Sequence, residues 1–448
     1  MSDTAVAERF RLLLASSVGT IIEWYDFFIF ATCAVLVFDK IFFPTVDPYV
    51  GILLALGSYA VGFVARPLGG VLFGALGDTI GRKNTLVVSL VMMGLSTFAM
   101  GLLPTYASIG IAAPLLLTLA RVLQGIAVGG EATGALTLVA ESMPGKHRAF
   151  WVSFPMIGGP AANVLAALTI ILIQRHFGEA GFVEWAWRLP FLASALLVGL
   201  GLWIRLRIEE SPAFTALAEQ RRGEPRAPLR ETFTGYGRPM FQVFLIKAAE
   251  NSLFYLFTTF FLIFVTQFLA MPRGVGLDAL FWGSLLEVCI IMLAGFAADV
   301  FGRRPVMIVG LCAGILAGFL LFSLDKSASP STILAVTFVT LTCHGIIVGG
   351  MSAFFTELFP TRVRYTALST SYQVASVIGG SVAPIIGAAL LRATGAPLSV
   401  AIYAAAMAIP GVFCVLMSRE TRGIDLTASP ASEESSLRHP AVVGELKA

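Results

Sequence analysis

Gly74-Ala75-Leu76-Gly77-Asp78-Thr79-Ile80-Gly81-Arg82-Lys83 separates two long apolar stretches. About 220 residues later, Gly295-Phe296-Ala297-Ala298-Asp299-Val300-Phe301-Gly302-Arg303-Arg304 separates two others. The shared frame is Gly-x-x-x-Asp-x-x-Gly-Arg followed by a second cation. Three further pairs recur in the same order at nearly the same spacing. Gly125-x-x-x-Gly129-Gly130 returns as Gly345-x-x-x-Gly349-Gly350, and Glu141-x-x-Pro144-x-x-x-Arg148 as Glu357-x-x-Pro360-x-x-x-Arg364. Gly158-Gly159 returns as Gly379-Gly380. The chain is therefore an internal duplication, and an even number of apolar segments per copy gives both copies one orientation, as in transporters whose halves surround a midplane site.

Composition names the solvent. Apolar residues make up 57% of the 448 and charged residues 13%, where a soluble domain carries roughly 25% charge. Such a chain cannot cover a water-facing surface, and the expected fold is an all-α polytopic membrane protein. A helix crossing the hydrocarbon core needs about 20 residues. Candidate spans run over 12–38, 49–76, 84–103, 111–140, 149–173 and 188–206, then 239–268, 277–298, 305–324, 331–355, 366–391 and 397–418. Most of the 30 Lys and Arg residues fall in the segments at one end of these spans. By the positive-inside rule those segments, and both termini, are cytoplasmic. The expected organisation is a six-helix bundle over 1–206, a basic linker over 207–238, a second bundle over 239–418 and a mobile tail over 419–448. Ser211-Pro212 reads as a helix cap followed by a first-turn proline, predicting a short surface helix over 212–222. The five cysteines are dispersed in apolar stretches without metal-ligand spacing, so no metal or cofactor is expected. No basic run interleaved with aromatics suggests nucleic acid.

A charge inside a bilayer costs about 2.5–3.5 kcal/mol on insertion scales, so each one needs a partner or a cavity. Spans 3, 6, 9 and 12 are read as carrying none. The others hold Glu23, Asp26, Arg66, Arg121, Glu131, Lys247, Glu250, Glu287 and His344. Every third helix thus suits lipid, and the rest suit the wall of a central cavity. The repeat matches Arg66 with Glu287 and Gln124 with His344, giving equivalent depths complementary polar groups. Glu23 and Asp26 share a helix face, as do Lys247 and Glu250; the latter pair reads equally well as mutual neutralisers. The glycine doublets permit close helix approach or bending.

The loop motif resembles the signature loop of the major facilitator superfamily. More specific stretches are similar to the metabolite:proton symporters within it. They are Glu23-Trp24-Tyr25-Asp26-Phe27, Phe42-Phe43-Pro44, Arg66-Pro67-Leu68-Gly69-Gly70, Arg121-x-x-Gln124-Gly125-x-x-x-Gly129-Gly130-Glu131, Trp187-Arg188-Leu189-Pro190-Phe191, Glu209-Glu210-Ser211-Pro212 and Glu357-Leu358-Phe359-Pro360-Thr361-Arg362-x-Arg364-Tyr365-Thr366. The resemblance spans all but the last thirty or so residues and implies proton-coupled uptake of a small polar metabolite across a bacterial inner membrane. Members handle citrate, 2-oxoglutarate, shikimate and aromatic acids, or proline and betaine; the early motifs look more like the shikimate and organic-acid members. It also implies that Asp78, Arg82, Asp299 and Arg303 latch an inner gate, the aspartates accepting from helix N-termini and the arginines pairing with carboxylates. Thr79 departs from the basic residue common there, which predicts a weaker first latch.

These readings converge on a monomeric transporter that works by alternating access, its partners being the substrate, protons and lipid. Arg66 and Arg121 are expected to attract a substrate carboxylate, with Gln124, Tyr25, Lys247 and His344 adding polar contacts. A carboxylate without water is cheaper as the neutral acid, so Asp26 or Glu131, with Glu23 nearby, is expected to carry the coupling proton. Drug efflux by antiport is the alternative: Gly159-Pro160 is a fragment of the antiporter pattern, but Ala161-Ala162-Asn163 follows where glycines are wanted, and the buried cations oppose a cationic drug. A nutrient sensor would need an output domain. No phosphate loop, metalloprotease helix or nucleophile elbow supports an enzyme.

Overall fold

The computed structural model describes residues 3–46, 48–207, 209–211, 214–216, 219 and 228–426. Among them no residue is in a strand, and 12 helices are long and apolar enough to cross a membrane. They are α1 (Arg9–Cys33), α2 (Gly57–Ile80), α3 (Arg82–Leu102), α4 (Ala112–Ser142), α5 (Gly145–Ala186), α6 (Arg188–Arg205), α7 (Gly237–Phe268), α8 (Arg273–Phe301), α9 (Arg303–Phe322), α10 (Pro330–Glu357), α11 (Arg364–Thr394) and α12 (Leu398–Met417). All twelve expected spans are present. The largest difference is α5, which runs on past residue 173 through a break at Gly178 (φ 72°, ψ 170°).

The packing repeats itself. In the first half α4 lies against α2 and α3, α3 against α6, and α1 against α5 and α6. Shifting each label by six describes the second half: α10 against α8 and α9, α9 against α12, and α7 against α11 and α12. The two six-helix bundles meet along α2–α11 and α5–α8, a pair of seams that the same shift exchanges. Leu12 and Leu13 of α1 share an apolar cluster with Leu426, which follows α12. Both ends of the described chain therefore lie on one face of the molecule, the terminal face.

Glycines set two features that the site depends on. Gly81 (φ 107°) and Gly302 (φ 101°) turn the chain from α2 into α3 and from α8 into α9, in a backbone region that L side chains rarely adopt. Gly125 and Gly129 let α4 touch α2. A Cβ on Gly125 would meet the carbonyl of Gly62, and one on Gly129 the carbonyl of Arg66. Gly349 stands equally close to Ala294 and Gly295. The doublets farther on also pack tightly, Gly158 against Thr20 and Ile21 of α1, and Gly379 against Asn251 and Ser252 of α7.

Two expectations need correction. Span 6 is not free of charge: Arg205, its last residue, is 1% exposed and enters the core. Arg82 and Arg303, which open α3 and α9, are buried as well. The tail expected to be mobile from 419 is packed as far as 426. The Ile424 carbonyl accepts from Arg148 Nη1 at 2.7 Å, and Leu426 is buried; residues 427–448 lie outside the described set. In the linker, Ser211 Oγ accepts the Phe214 amide at 3.0 Å, as a cap does, while most of the helix expected over 212–222 falls outside the described residues.

Candidate functional site

In the first bundle, Arg66 of α2 and Arg121 of α4 each place their guanidinium carbon 4.5 Å from the ring centroid of Phe27 on α1. Phe63 lies under Arg66 at 4.5 Å and Phe30 under Arg121 at 4.2 Å. A desolvated cation over an aromatic face gains about 2 kcal/mol, enough to steer these side chains inward but not to replace water. Among the described residues, Nε and Nη2 of both arginines are buried without a hydrogen-bond acceptor. Arg121 Nη1 donates to Gln124 Oε1, Gln124 Nε2 donates to Thr97 Oγ1 at 2.6 Å, and Thr97 Oγ1 is 2.6 Å from Asp26 Oδ2. Asp26 Oδ1 has no donor. Glu23 is buried beside this group, its Oε2 also unpartnered.

Two sequence candidates point elsewhere. Glu131 is held by both terminal nitrogens of Arg205 and by Ser89 Oγ at 2.9 Å. That carboxylate is committed to tying α4 to α6 and α3. Tyr25 turns its hydroxyl to Thr169 Oγ1 on α5, 3.4 Å away.

The second bundle answers with a chain of alternating basic and acidic side chains. Lys247 pairs with Glu250 at 2.5 Å, Glu250 Oε1 meets His344 Nε2 at 2.9 Å, and His344 Nδ1 meets Glu287. The i, i+3 pair on α7 thus extends through α10 to α8. Tyr372 lies under Lys247 Nζ at 4.2 Å and Phe254 against the His344 ring at 4.6 Å. Glu287 Oε2 is buried without a donor. The bundles touch between these clusters, Trp24 against Phe254 and Phe63 against Tyr255.

On the terminal face the bundles are tied by two copies of one device. Asp78 Oδ2 accepts the amide and hydroxyl of Thr366 at the start of α11, at 2.8 and 2.7 Å. Asp299 accepts the amides of Ala149 and Phe150 in the first turns of α5, at 3.1 and 2.9 Å. Helix N-termini favour such anions. Glu141 Oε1 binds Arg82 of its own half at 3.2 Å and Arg364 of the other at 2.7 Å. Glu357 binds Arg303 of its own half at 3.1 Å and Arg148 of the other at 3.0 Å. Glu210, after α6, accepts the amides of Arg82 and Lys83, and Glu420, after α12, accepts those of Arg303 and Arg304. Ser211 and Thr421 then donate to Glu141 and Glu357. Thr79 is turned to its own helix, onto the Ala75 carbonyl. Farther in, Tyr365, Ser369 and Gln373 of α11 donate to the carbonyls of Gly130, Gly70 and Gly129 at 2.6, 2.6 and 3.0 Å.

Comparison with known proteins decides the family. The model described as "Sugar (and other) transporter" matches residues 12–239, and that of the Major Facilitator Superfamily matches 273–443. An inner membrane metabolite transport protein of Escherichia coli is 42% identical over 94% of this chain and 96% of its own length. The chain belongs to the major facilitator superfamily. Within the superfamily, a shikimate transporter of Escherichia coli is 36% identical over 92% of this chain and 95% of its own length. A proline/betaine transporter of Salmonella typhimurium is 33% identical over 95% and 86%. Among solved superfamily structures, a proton:xylose symporter bound to 6-bromo-6-deoxy-D-glucose superposes with a TM-score of 0.77 at 18% identity, covering 94% of this chain and 98% of that one. This superfamily member is a metabolite transporter of the membrane and not an enzyme.

Several residues that build the site escaped the sequence reading. Arg205 sits at a helix end, where a cation reads as interfacial, and nothing in the sequence ties it to Glu131. Thr97 lies on a span read as lipid-facing. Glu420-Thr421 was legible in principle, because it repeats Glu210-Ser211 in the same place after the sixth span of its half.

Proposed function

We propose that the protein is a proton-coupled symporter that takes up a small organic acid, its terminal face being cytoplasmic. The observation that carries this reading is the pair of buried guanidinium groups, Arg66 and Arg121, each with donors that no described residue meets. Buried polar groups normally find partners, and a carboxylate accepting from both would offset two like charges held close in a low-dielectric interior. Arg66 and Arg121 hold that carboxylate, Gln124 orients Arg121, and Asp26 carries the proton. Glu131, already matched by Arg205, is the less suitable proton site. The two latches close the cytoplasmic gate, and residues 1–206 rock against 239–418 when they open. Likeness to the shikimate transporter supports a hydroxylated carboxylic acid. A zwitterion is the second reading, favoured by the unpartnered oxygen of Glu287 in the facing bundle and by likeness to the proline/betaine transporter.

The test is internal pH in proteoliposomes, followed with a trapped dye. Shikimate, citrate, 2-oxoglutarate, an aromatic acid, proline and betaine are added one at a time, against empty liposomes. Acidification beyond that control by an acid supports the first reading, and by proline or betaine alone the second. Asp26→Asn should lose accumulation driven by the pH gradient while still exchanging substrate. Accumulation by Asp26→Asn at the parental level would sink the proton assignment. Silence across the panel would sink symport of this class.

A further inference from the structure

Arg121 and Asp26 do not touch, yet a single file of hydrogen bonds joins them: Arg121 Nη1 to Gln124 Oε1, Gln124 Nε2 to Thr97 Oγ1, and Thr97 Oγ1 to Asp26 Oδ2. Thr97 is the one member on α3, and it is fully buried. Its hydroxyl has one hydrogen and two acceptors within reach, Asp26 Oδ2 at 2.6 Å and the Met93 carbonyl at 3.1 Å. A hydroxyl donates once and accepts twice, so this bond reverses when the proton of a neutral Asp26 sits on Oδ2.

We propose that Thr97 is the positioning residue that couples the proton site to the substrate site, a reading that rests on the function proposed above. With Asp26 ionised, Thr97 donates to it, Gln124 donates to Thr97, and Arg121 donates to Gln124. The file then acts as an extended ion pair that holds Arg121 toward α3. When Asp26 takes up one proton on Oδ2, that O–H donates to Thr97 Oγ1 and the threonine hydrogen turns to the Met93 carbonyl. No proton is lost in the turn, and Thr97 Oγ1 now accepts from both Asp26 and Gln124. The file no longer ends on a charge, and Arg121 is released to bind a substrate carboxylate. Proton uptake therefore precedes tight substrate binding, and the two enter together.

The surroundings suit this arrangement. Arg121 on α4 is the cation at the far end of the file; Arg66 on α2 shares the Phe27 ring with it. Glu23 and Tyr25 flank Asp26 on α1 itself. Beyond Arg82 and Lys83 at its start, α3 has no charged residue. The helices α5 and α6, which also pack on α1, carry their charged residues toward their ends, and Arg205 is taken by Glu131.

Thr97→Val keeps the shape and removes the hydroxyl, and Thr97→Ser restores it. Both are compared with the parent and with Asp26→Asn in proteoliposomes, using radiolabelled shikimate, 2-oxoglutarate and proline as probes. Equilibrium exchange, accumulation driven by a pH gradient, and the pH dependence of the apparent KM are measured for each. Thr97→Val is expected to retain exchange within several-fold, to lose accumulation by at least tenfold and to flatten the pH dependence of KM. Thr97→Ser should recover both of the latter. Parental accumulation and pH profile in Thr97→Val would overturn the proposal while Asp26→Asn remains uncoupled. Loss of exchange as well, unrescued by serine, would overturn it in favour of a packing role. If Asp26→Asn itself accumulates at the parental level, or no probe moves through the parent, the function proposed above fails first and this inference with it.

Discussion

Replacing Glu141 by Gln should tilt the protein toward opening on its terminal face by an amount that follows from which bonds cross between the bundles. Glu141 binds Arg82 and Ser211 of its own half and Arg364 of the other. The own-half contacts exist whether the face is open or closed, so their weakening largely cancels. Only the Arg364 bond distinguishes the states. A hydrogen bond to a charged partner contributes about 1.5–3 kcal/mol and a neutral one about 0.5–1.5, so the amide forfeits about 1–2 kcal/mol of closure. At 1.4 kcal/mol per tenfold the open population rises about 5- to 30-fold. Arg364 Nε keeps the carbonyls of Thr356 and Phe359 at 2.9 and 3.0 Å, which supply hydrogen bonds but no countercharge, so the cost of a buried cation that loses a carboxylate adds to this figure and makes it a lower bound. The assay is the distance distribution between spin labels at Lys146, in the first turn of α5, and Phe301, at the end of α8, with the native cysteines replaced. Both positions are exposed, and they lie on opposite sides of the α5–α8 seam. A new longer component is expected in Glu141→Gln and, by the repeat, in Glu357→Gln. A folded Glu141→Gln protein with the parental distribution would refute the claim that cross-bundle ion pairs hold this face shut.

Two other perturbations read different parts of the molecule. Arg205→Leu leaves Glu131 buried without its partner and should cost about 3–5 kcal/mol, seen as a large fall in thermal stability in detergent; Glu131→Leu with Arg205→Leu should recover part of it, and a single variant as stable as the parent would remove the structural role given to this pair. Gly129→Ala puts a methyl group against the α2 backbone at Arg66 and should cost about 1–3 kcal/mol by overpacking while raising the KM for substrate through displacement of Arg66, so an unchanged KM would argue against Arg66 as a substrate contact.

Much of this architecture could be read from the chain because duplication and burial both write themselves into sequence. The Asp78 and Asp299 loops, the glycines of α4 and α10, and the Glu141 and Glu357 turns keep their order and spacing, and each pair does the same work in both halves. Lys247 and Glu250 were legible as partners because residues three apart on a helix share a face. The extension to His344 and Glu287 was not, since those residues come from other helices and only packing brings them together. Arg205 and Thr97 show two further limits. A cation at a helix end looks the same in sequence whether it faces lipid headgroups or turns inward, and a lone threonine carries no sign of the two side chains it bridges. The segment after α12 was misread because the polar composition of the whole stretch hid the few residues, Glu420 to Leu426, that have specific partners.

Those few residues have a consequence for any chain that is cut short after α12. All twelve spans precede Glu420, Thr421 and Leu426 in the chain, so the spans and these closing contacts can be separated by a cut just after α12. Without them the amides opening α9 lack their carboxylate, Glu357 keeps Arg303 and Arg148 but loses the Thr421 hydroxyl, and the apolar patch around Leu12 and Val139 lacks its cover. A chain stopped just short of them would carry all twelve spans and still expose, on that face, the chemical marks of an unfinished protein.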